Sequence, residues 1–166
     1  MTDQLGDLGI TEPVLLAPMA GITDRPFRKM VARFGAGLVV SEMVAGEMIG
    51  HRADVRQKAE IAAGDPLTAV QIAGREARPM AEAAAWAAGE GARIIDINMG
   101  CPAKKVTTGL SGSALMRDPD HALGLIEAVV AAVEVPVTLK MRLGWDRESL
   151  NAALIARRAV AAGIRM

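Results

Sequence analysis

Five short apolar runs recur along the chain, each followed by a longer stretch with helical spacing. They are VLLAP (14–18), GLVVSE (37–42), LTAVQIA (67–73), RIIDIN (93–98) and VPVTLKMR (135–142). Several are near-continuous Val, Ile and Leu, as in parallel strands buried on both faces. Successive runs begin at about the 30-residue spacing of βαβ units.

Helical signals fill the intervals. TDRPFRKMVARFG offers Thr23 or Asp24 as a cap, Pro26 in the first turn and Gly35 as a stop. EARPMAEAAAWAAGEG is Ala-rich and closes on Gly91. DPDHALGLIEAVVAAV opens with Asp118 and Asp120 and sets Ala122, Ile126, Val129, Val130 and Val133 on one face. DRESLNAALIARRAVAAG is expected to start near Ser149 and to stop at Gly163, and 46–62 reads as a helix with poorly marked ends.

Alternating strands and helices predict a parallel α/β fold. A doubly wound sheet and a barrel both satisfy the periodicity. Neither a G-x-G-x-x-G after the first strand nor a G-x-x-x-x-G-K-[ST] loop is present. Polar residues gather where the strands end: Pro18 and Met19, Ser41 and Glu42, Gln71, Asn98 and Cys101, Lys140 and Arg142. In a (β/α)8 TIM-type barrel that rim carries the chemistry, and a complete barrel takes about 250 residues. The chain supplies five strands and one further helix, then reaches GIRM, where a sixth strand would begin. The expectation is an incomplete barrel, about five β-α units of eight, with 1–166 as its N-terminal portion.

Composition adds limits. The 166 residues suffice for one core, and 51% apolar content excludes a disordered tail. With two Trp, two Phe and no Tyr, that core must rest on Ala, Val, Leu, Ile and ten Met. Nineteen basic residues balance nineteen acidic ones, so no global charge draws the chain to nucleic acid or anionic membrane. One cysteine forms no internal disulfide, the opening MTDQLGDLGITEPV lacks the layout of a signal peptide, and no apolar run reaches about 18 residues. A soluble, cytoplasmic protein without a membrane partner is expected. His51 and His121 look unremarkable, and no His/Cys/carboxylate cluster suggests a metal.

Several residues admit two readings. Cys101, in DINMGCPAKKV, is either a small buried hydrophobe or a reactive thiol at a pocket mouth. Lys140 is either a solvated strand end or a cation buried beside a cofactor, and its alternation with Leu139 and Met141 favours the latter. Gln71 and Asn98 either close β-α loops or meet the edges of a ring, since an amide both donates and accepts. Arg142 serves a ligand or pairs with Asp146. KKVTTGLSGSALMRD is a capped loop or a lid over substrate. Arg25, Arg28, Lys29, Lys104 and Lys105 form a strip for phosphates or remain scattered solvated charges.

LAPMAGITDRPFR, VQIAG, DINMGCP, TGLSGSALMRDP and VTLKMRLGWD are long, and their order and spacing resemble those of the tRNA-dihydrouridine synthases. The similarity is to the bacterial B-type branch and runs from about Leu15 to the last residue. The resemblance implies a flavoprotein that reduces the C5–C6 double bond of uridine in tRNA, with FMN as carrier and NADPH as electron source. It implies a (β/α)8 barrel followed by a helical domain that helps grip tRNA.

Carried onto matching positions, Pro18, Met19 and Ala20 would meet the flavin through the backbone, and Gln71 and Lys140 would hold its ring. Asn98 would lie beside flavin and uracil, and Cys101 would donate the proton. Lys104, Lys105 and Arg142 would bind substrate. An unperturbed thiol is mostly protonated at neutral pH and can act as an acid. Nearby cations favour thiolate, so Lys104 and Lys105 are expected to point toward RNA phosphate. A fixed ammonium at Lys140 suits the negative charge of a reduced flavin. The family's phosphate grip and its helical domain match nothing in these residues, so little activity is expected from them alone. The alternatives are a non-catalytic half barrel, or a flavin barrel of the dihydropyrimidine or dihydroorotate oxidoreductase type. NMGCPAKKV followed by SGSALM favours the tRNA enzymes.

Overall fold

The computed structural model describes residues 4–45 and 53–166. In chain order the elements are α1 (Gln4–Asp7), β1 (Leu15–Leu16), α2 (Arg25–Ala32), β2 (Leu38–Val40), β3 (Val44–Ala45), α3 (Ala53–Lys58), β4 (Thr68–Ala73) and α4 (Ala77–Gly89). There follow β5 (Ile94–Met99), α5 (Lys104–Thr107), a 3-10 helix (Gly112–Arg117), α6 (Pro119–Ala132), β6 (Val137–Met141) and α7 (Ala152–Ala161). All five expected strands form.

Every strand pairing is parallel, and the order is β1-β2-β4-β5-β6, with β3 also on β4. The order advances in one direction, without the reversal that defines a doubly wound sheet. That decides between the two architectures: the chain is a half-barrel with helices, a partial TIM barrel. Beyond β6 the Arg165 N–H donates to Val137 O at 2.9 Å, and the Leu139 N–H to Met166 O at 2.8 Å. The GIRM segment thus pairs where a next parallel strand belongs.

The two faces of the sheet bury different things. Val70, Ile72, Ile95, Ile97, Met99 and Val137 pack outward, against helix residues that include Met80, Leu125, Ile126 and Ile155. Leu38, Val40, Ala69 and Ile94 face inward and meet Leu8 and Ile10, which plug the bottom of the barrel. Each such Ile or Leu contributes about 1.5–3 kcal/mol by leaving water. On the face α4 buries, Ala83, Ala84 and Ala87 are all small. On α6, Ala122, Ile126 and Val129 are buried as expected, joined by Leu125, while Val130 and Val133 are half-buried at the edge of that cluster.

Local chemistry settles several boundaries. Asp24, not Thr23, caps α2 by accepting the Phe27 N–H at 2.9 Å, while the Thr23 hydroxyl is held by Met19. GLVVSE breaks after Val40, because the Ser41 hydroxyl accepts the Gln71 N–H and donates to Glu42 O. The C-terminal helix starts at Ala152, later than expected. Ser149 is spent on a turn, where its N–H and hydroxyl donate to Asp146. Of the expected 46–62 helix, Ala53–Lys58 is helical, whereas 46–52, with His51, lie outside the described residues.

Arg28 requires a correction. It is not part of a phosphate strip, being 2% exposed. Its guanidinium donates to Thr23 O at 2.8 Å, Glu60 O at 2.6 Å and Lys58 O at 3.4 Å. Burial lowers its pKa, with Asp65, Asp24, Glu42 and Glu60 opposing. Arg25 and Lys29 are likewise engaged. Arg25 makes a two-pronged bond to Asp65 and reaches Glu60, and Lys29 lies 3.7 Å from Asp65. No helix of the described residues is long and apolar enough to cross a membrane.

Candidate active site

Two-residue alternation decides which strand residues look into the barrel. In β5 the outward set is Ile95, Ile97 and Met99, which leaves Ile94, Asp96 and Asn98 inward. In β6 the outward set is Val137, Leu139 and Met141, which leaves Thr138 and Lys140. Register then builds layers across the inner face. Ala69 pairs with Ile94 at the bottom, Gln71 with Asp96 and Asp96 with Thr138 in the middle, and Asn98 with Lys140 at the top. The interior thus changes from apolar at Ala69 and Ile94 to polar above them, with Lys140 at the top.

The middle and top layers are wired together. Thr138 Oγ1 donates to Asp96 Oδ1 at 2.6 Å, and Gln71 Nε2 donates to Asp96 Oδ2 at 2.6 Å. Asn98 Nδ2 donates to Gln71 Oε1 at 2.8 Å. Asn98 Oδ1 then accepts the backbone N–H groups of Gly100 at 3.2 Å and Cys101 at 3.0 Å. Burial pushes the Asp96 carboxyl up, and the bonds from Thr138 and Gln71, with the charge of Lys140, oppose it. Gln71 is fully buried, and both ends of its amide are engaged inside the protein.

Cys101 is half-buried where the chain leaves β5. The loop folds back on it, because the Ser113 N–H donates to Cys101 O at 3.0 Å and Gly112 adopts φ +61°. The turn between α5 and the 3-10 helix has the Schellman pattern: Leu110 adopts φ 57°, the Ser111 N–H donates to Val106 O at 3.3 Å and the Leu110 N–H to Thr107 O at 3.0 Å. Lys104 and Lys105 stand exposed on α5.

On the first strand's side, residues 19–23 form a closed turn. The Met19 N–H donates to Thr23 Oγ1 at 3.0 Å, and Met19 O accepts the N–H groups of Ile22 and Thr23. Glu42 Oε2 accepts the Gly21 N–H at 3.0 Å, which ties this turn to the end of the second strand. Among Pro18, Met19 and Ala20, only Ala20 keeps a backbone N–H outside these bonds.

Leu16, Pro18, Val40, Asp96, Thr138 and Lys140 are among the residues lining a cavity of about 190 Å³ between β1 and β6. Lys140 is exposed rather than buried, because it stands on the inner face at the top layer. Arg142 is exposed too and makes no ion pair among the described residues. Asp146 is instead occupied by Ser149 and the Glu148 N–H, bonds that hold its pKa low. The structure therefore brings Gln71, Asn98 and Cys101 into one hydrogen-bonded chain. It puts Pro18 and Lys140 on one cavity and leaves Lys104, Lys105 and Arg142 at the surface.

Two polar members of the chain, Asp96 and Thr138, were not among the sequence candidates. Their signal was present: each sits two residues before a chosen residue, in phase with Asn98 and Lys140.

The family model described as dihydrouridine synthase matches residues 15–166. A probable tRNA-dihydrouridine synthase of Rhodobacter capsulatus is 72% identical over all of this chain and 52% of its own length. One from Rhizobium leguminosarum is 63% identical over 96% of this chain and 50% of its own length. A tRNA-dihydrouridine synthase B of Pseudomonas syringae is 50% identical over 98% of this chain and 48% of its own length. The chain thus spans about half the length of the curated relatives it matches. A match of this extent, on a half-barrel whose polar layer leads to Cys101, leaves one assignment: the chain belongs to the dihydrouridine synthase family.

Proposed function

We propose that this chain forms part of a flavin-dependent reductase acting on the C5–C6 double bond of uridine in tRNA, with Cys101 as the proton donor. The observation that carries the reading is the 3.0 Å bond from the Cys101 backbone N–H to Asn98 Oδ1, which anchors the backbone of a half-buried cysteine at the barrel rim. Asn98 pairs in register with Lys140 on the next strand, so thiol, amide and ammonium share one end of the sheet.

The residues present fit FMN in kind. The cavity between β1 and β6 has apolar walls at Leu16 and Val40 and a lysine at its edge. The Ala20 N–H remains for a ring carbonyl or nitrogen. A bound flavin supplies hydride for C6, with NADPH as the reductant. Lys140 would hold the negative side of the ring, and Pro18, Met19 and Ala20 would approach its edge. Asn98 would orient the uracil, Cys101 Sγ would hold the proton for C5, and Lys104, Lys105 and Arg142 would meet tRNA.

The test is Cys101→Ala in the full-length protein, assayed for flavin absorbance and for dihydrouridine in tRNA. Flavin should stay bound while reduction falls by about 100-fold or more. Unchanged turnover would remove Cys101 from the mechanism.

A further inference from the structure

We propose that Asp96 is a positioning residue for Cys101, acting through the side-chain amides of Gln71 and Asn98. The proposal rests on the reductase reading for its catalytic consequence, and on geometry alone for the relay itself.

The direction of every bond in the relay is forced from one end. The N–H groups of Gly100 and Cys101 can only donate, so Asn98 must present Oδ1 to them. Asn98 Nδ2 then faces Gln71, which must answer with Oε1, and Gln71 Nε2 is left facing Asp96 Oδ2. Asp96 supplies the acceptor that ends the series, while its other oxygen takes the Thr138 hydroxyl. Ser41 Oγ accepts the Gln71 backbone N–H and steadies the root of that side chain.

Reversing either amide would set NH2 against N–H at one end, or oxygen against oxygen at the other. These groups are shielded from bulk solvent: Gln71 is 0% exposed, Thr138 2%, Asp96 5% and Asn98 7%. An unmade bond at such a site costs its full desolvation. The relay runs across β4, β5 and β6, so one carboxylate on the middle strand supplies the terminal acceptor for amides on two strands, in a series that begins at the proposed acid. Asparagine at 96 can turn its oxygen to Gln71 and its NH2 to Thr138 Oγ1, preserving the polarity. Leucine offers no acceptor and frees Gln71 to rotate.

The experiment compares Asp96→Asn and Asp96→Leu in the full-length, FMN-loaded protein. Leucine should lower kcat by about 10- to 100-fold with KM for tRNA little changed, and asparagine should stay within about threefold of the parent. The Cys101 backbone amide resonance should move upfield in the leucine variant and hold in the asparagine variant. Its thiol alkylation rate should change in the leucine variant alone. Equal losses in both variants would overturn the proposal, as would a leucine variant with unmoved Cys101 amide and kcat. If the leucine variant does not fold, the parent decides: Gln71 NH2 protons at free-amide positions overturn the relay. A parent without uridine reduction sinks the reductase reading, whereas the amide and alkylation readouts still judge Asp96.

Discussion

The α-carbon of Gly112 lies against the backbone of Cys101. A β-carbon there would fall 2.8 Å from the Cys101 carbonyl oxygen and 2.7 Å from Val106 Cγ1. Close approach and a left-handed φ of +61° both require glycine at this place. The loop after β5 can press onto the cysteine only because position 112 is bare.

Gly112→Ala should therefore destabilise the fold by about 1–3 kcal/mol, since the added methyl meets backbone and the conformation is strained. A denaturant titration reads the loss, and Cys101 alkylation reads the displaced loop. An unchanged midpoint with unchanged alkylation would show that the loop accommodates the methyl freely.

Arg28→Met should cost about 3 kcal/mol, because three carbonyls lose a charged donor inside the protein. Arg28→Lys should recover only part of that, as one ammonium cannot reproduce the planar fork. A urea midpoint for Arg28→Lys equal to the parent's would contradict this.

Lys140→Ala should weaken FMN binding by about tenfold without shifting thermal stability, since the residue is exposed and makes no ion pair among the described residues. A flavin titration followed by visible absorbance measures it. Equal affinity in parent and variant would take Lys140 out of the flavin site.

Two carboxylates give stability opposite dependences on pH. The hydrogen bond from Arg25 holds Asp65 below the usual carboxylate range, against the effect of its burial. Its contribution is full above the unfolded-state pKa and is lost as pH falls through the depressed value. Asp96 is raised by burial, so between the ordinary carboxylate pKa and its own value the native state binds more protons. There stability falls as pH rises. Asp65→Asn should flatten the acid limb of a stability–pH curve, and Asp96→Asn should remove the decline above it. Parallel curves for parent and both variants would refute the assignment.

What could be read in advance followed from local rules. The apolar run RIIDIN became β5, and the aspartates before α2 and α6, with the prolines in their first turns, mark where those helices begin. Asn98 and Cys101 were legible because they end a strand. Arg28 was not, because its acceptors are carbonyls of Lys58 and Glu60, 30 and 32 residues away, and carbonyls leave no mark in a sequence. Asp96 and Thr138 were half legible: their phase placed them inward, but only cross-strand register shows that Asp96 is shared by Gln71 and Thr138.

The pairing of β5 on both sides has a consequence for motion. Its six residues are all buried, while β1 has two, of which Leu15 is exposed. Openings of low free energy should begin at β1, and amide hydrogen exchange should rank it fastest and β5 slowest; the reverse ranking would contradict this. Any ligand between Pro18 and Asn98 then meets one rigid wall and another that opens more readily until the ligand holds it. Part of its binding free energy offsets the entropy lost by that second wall.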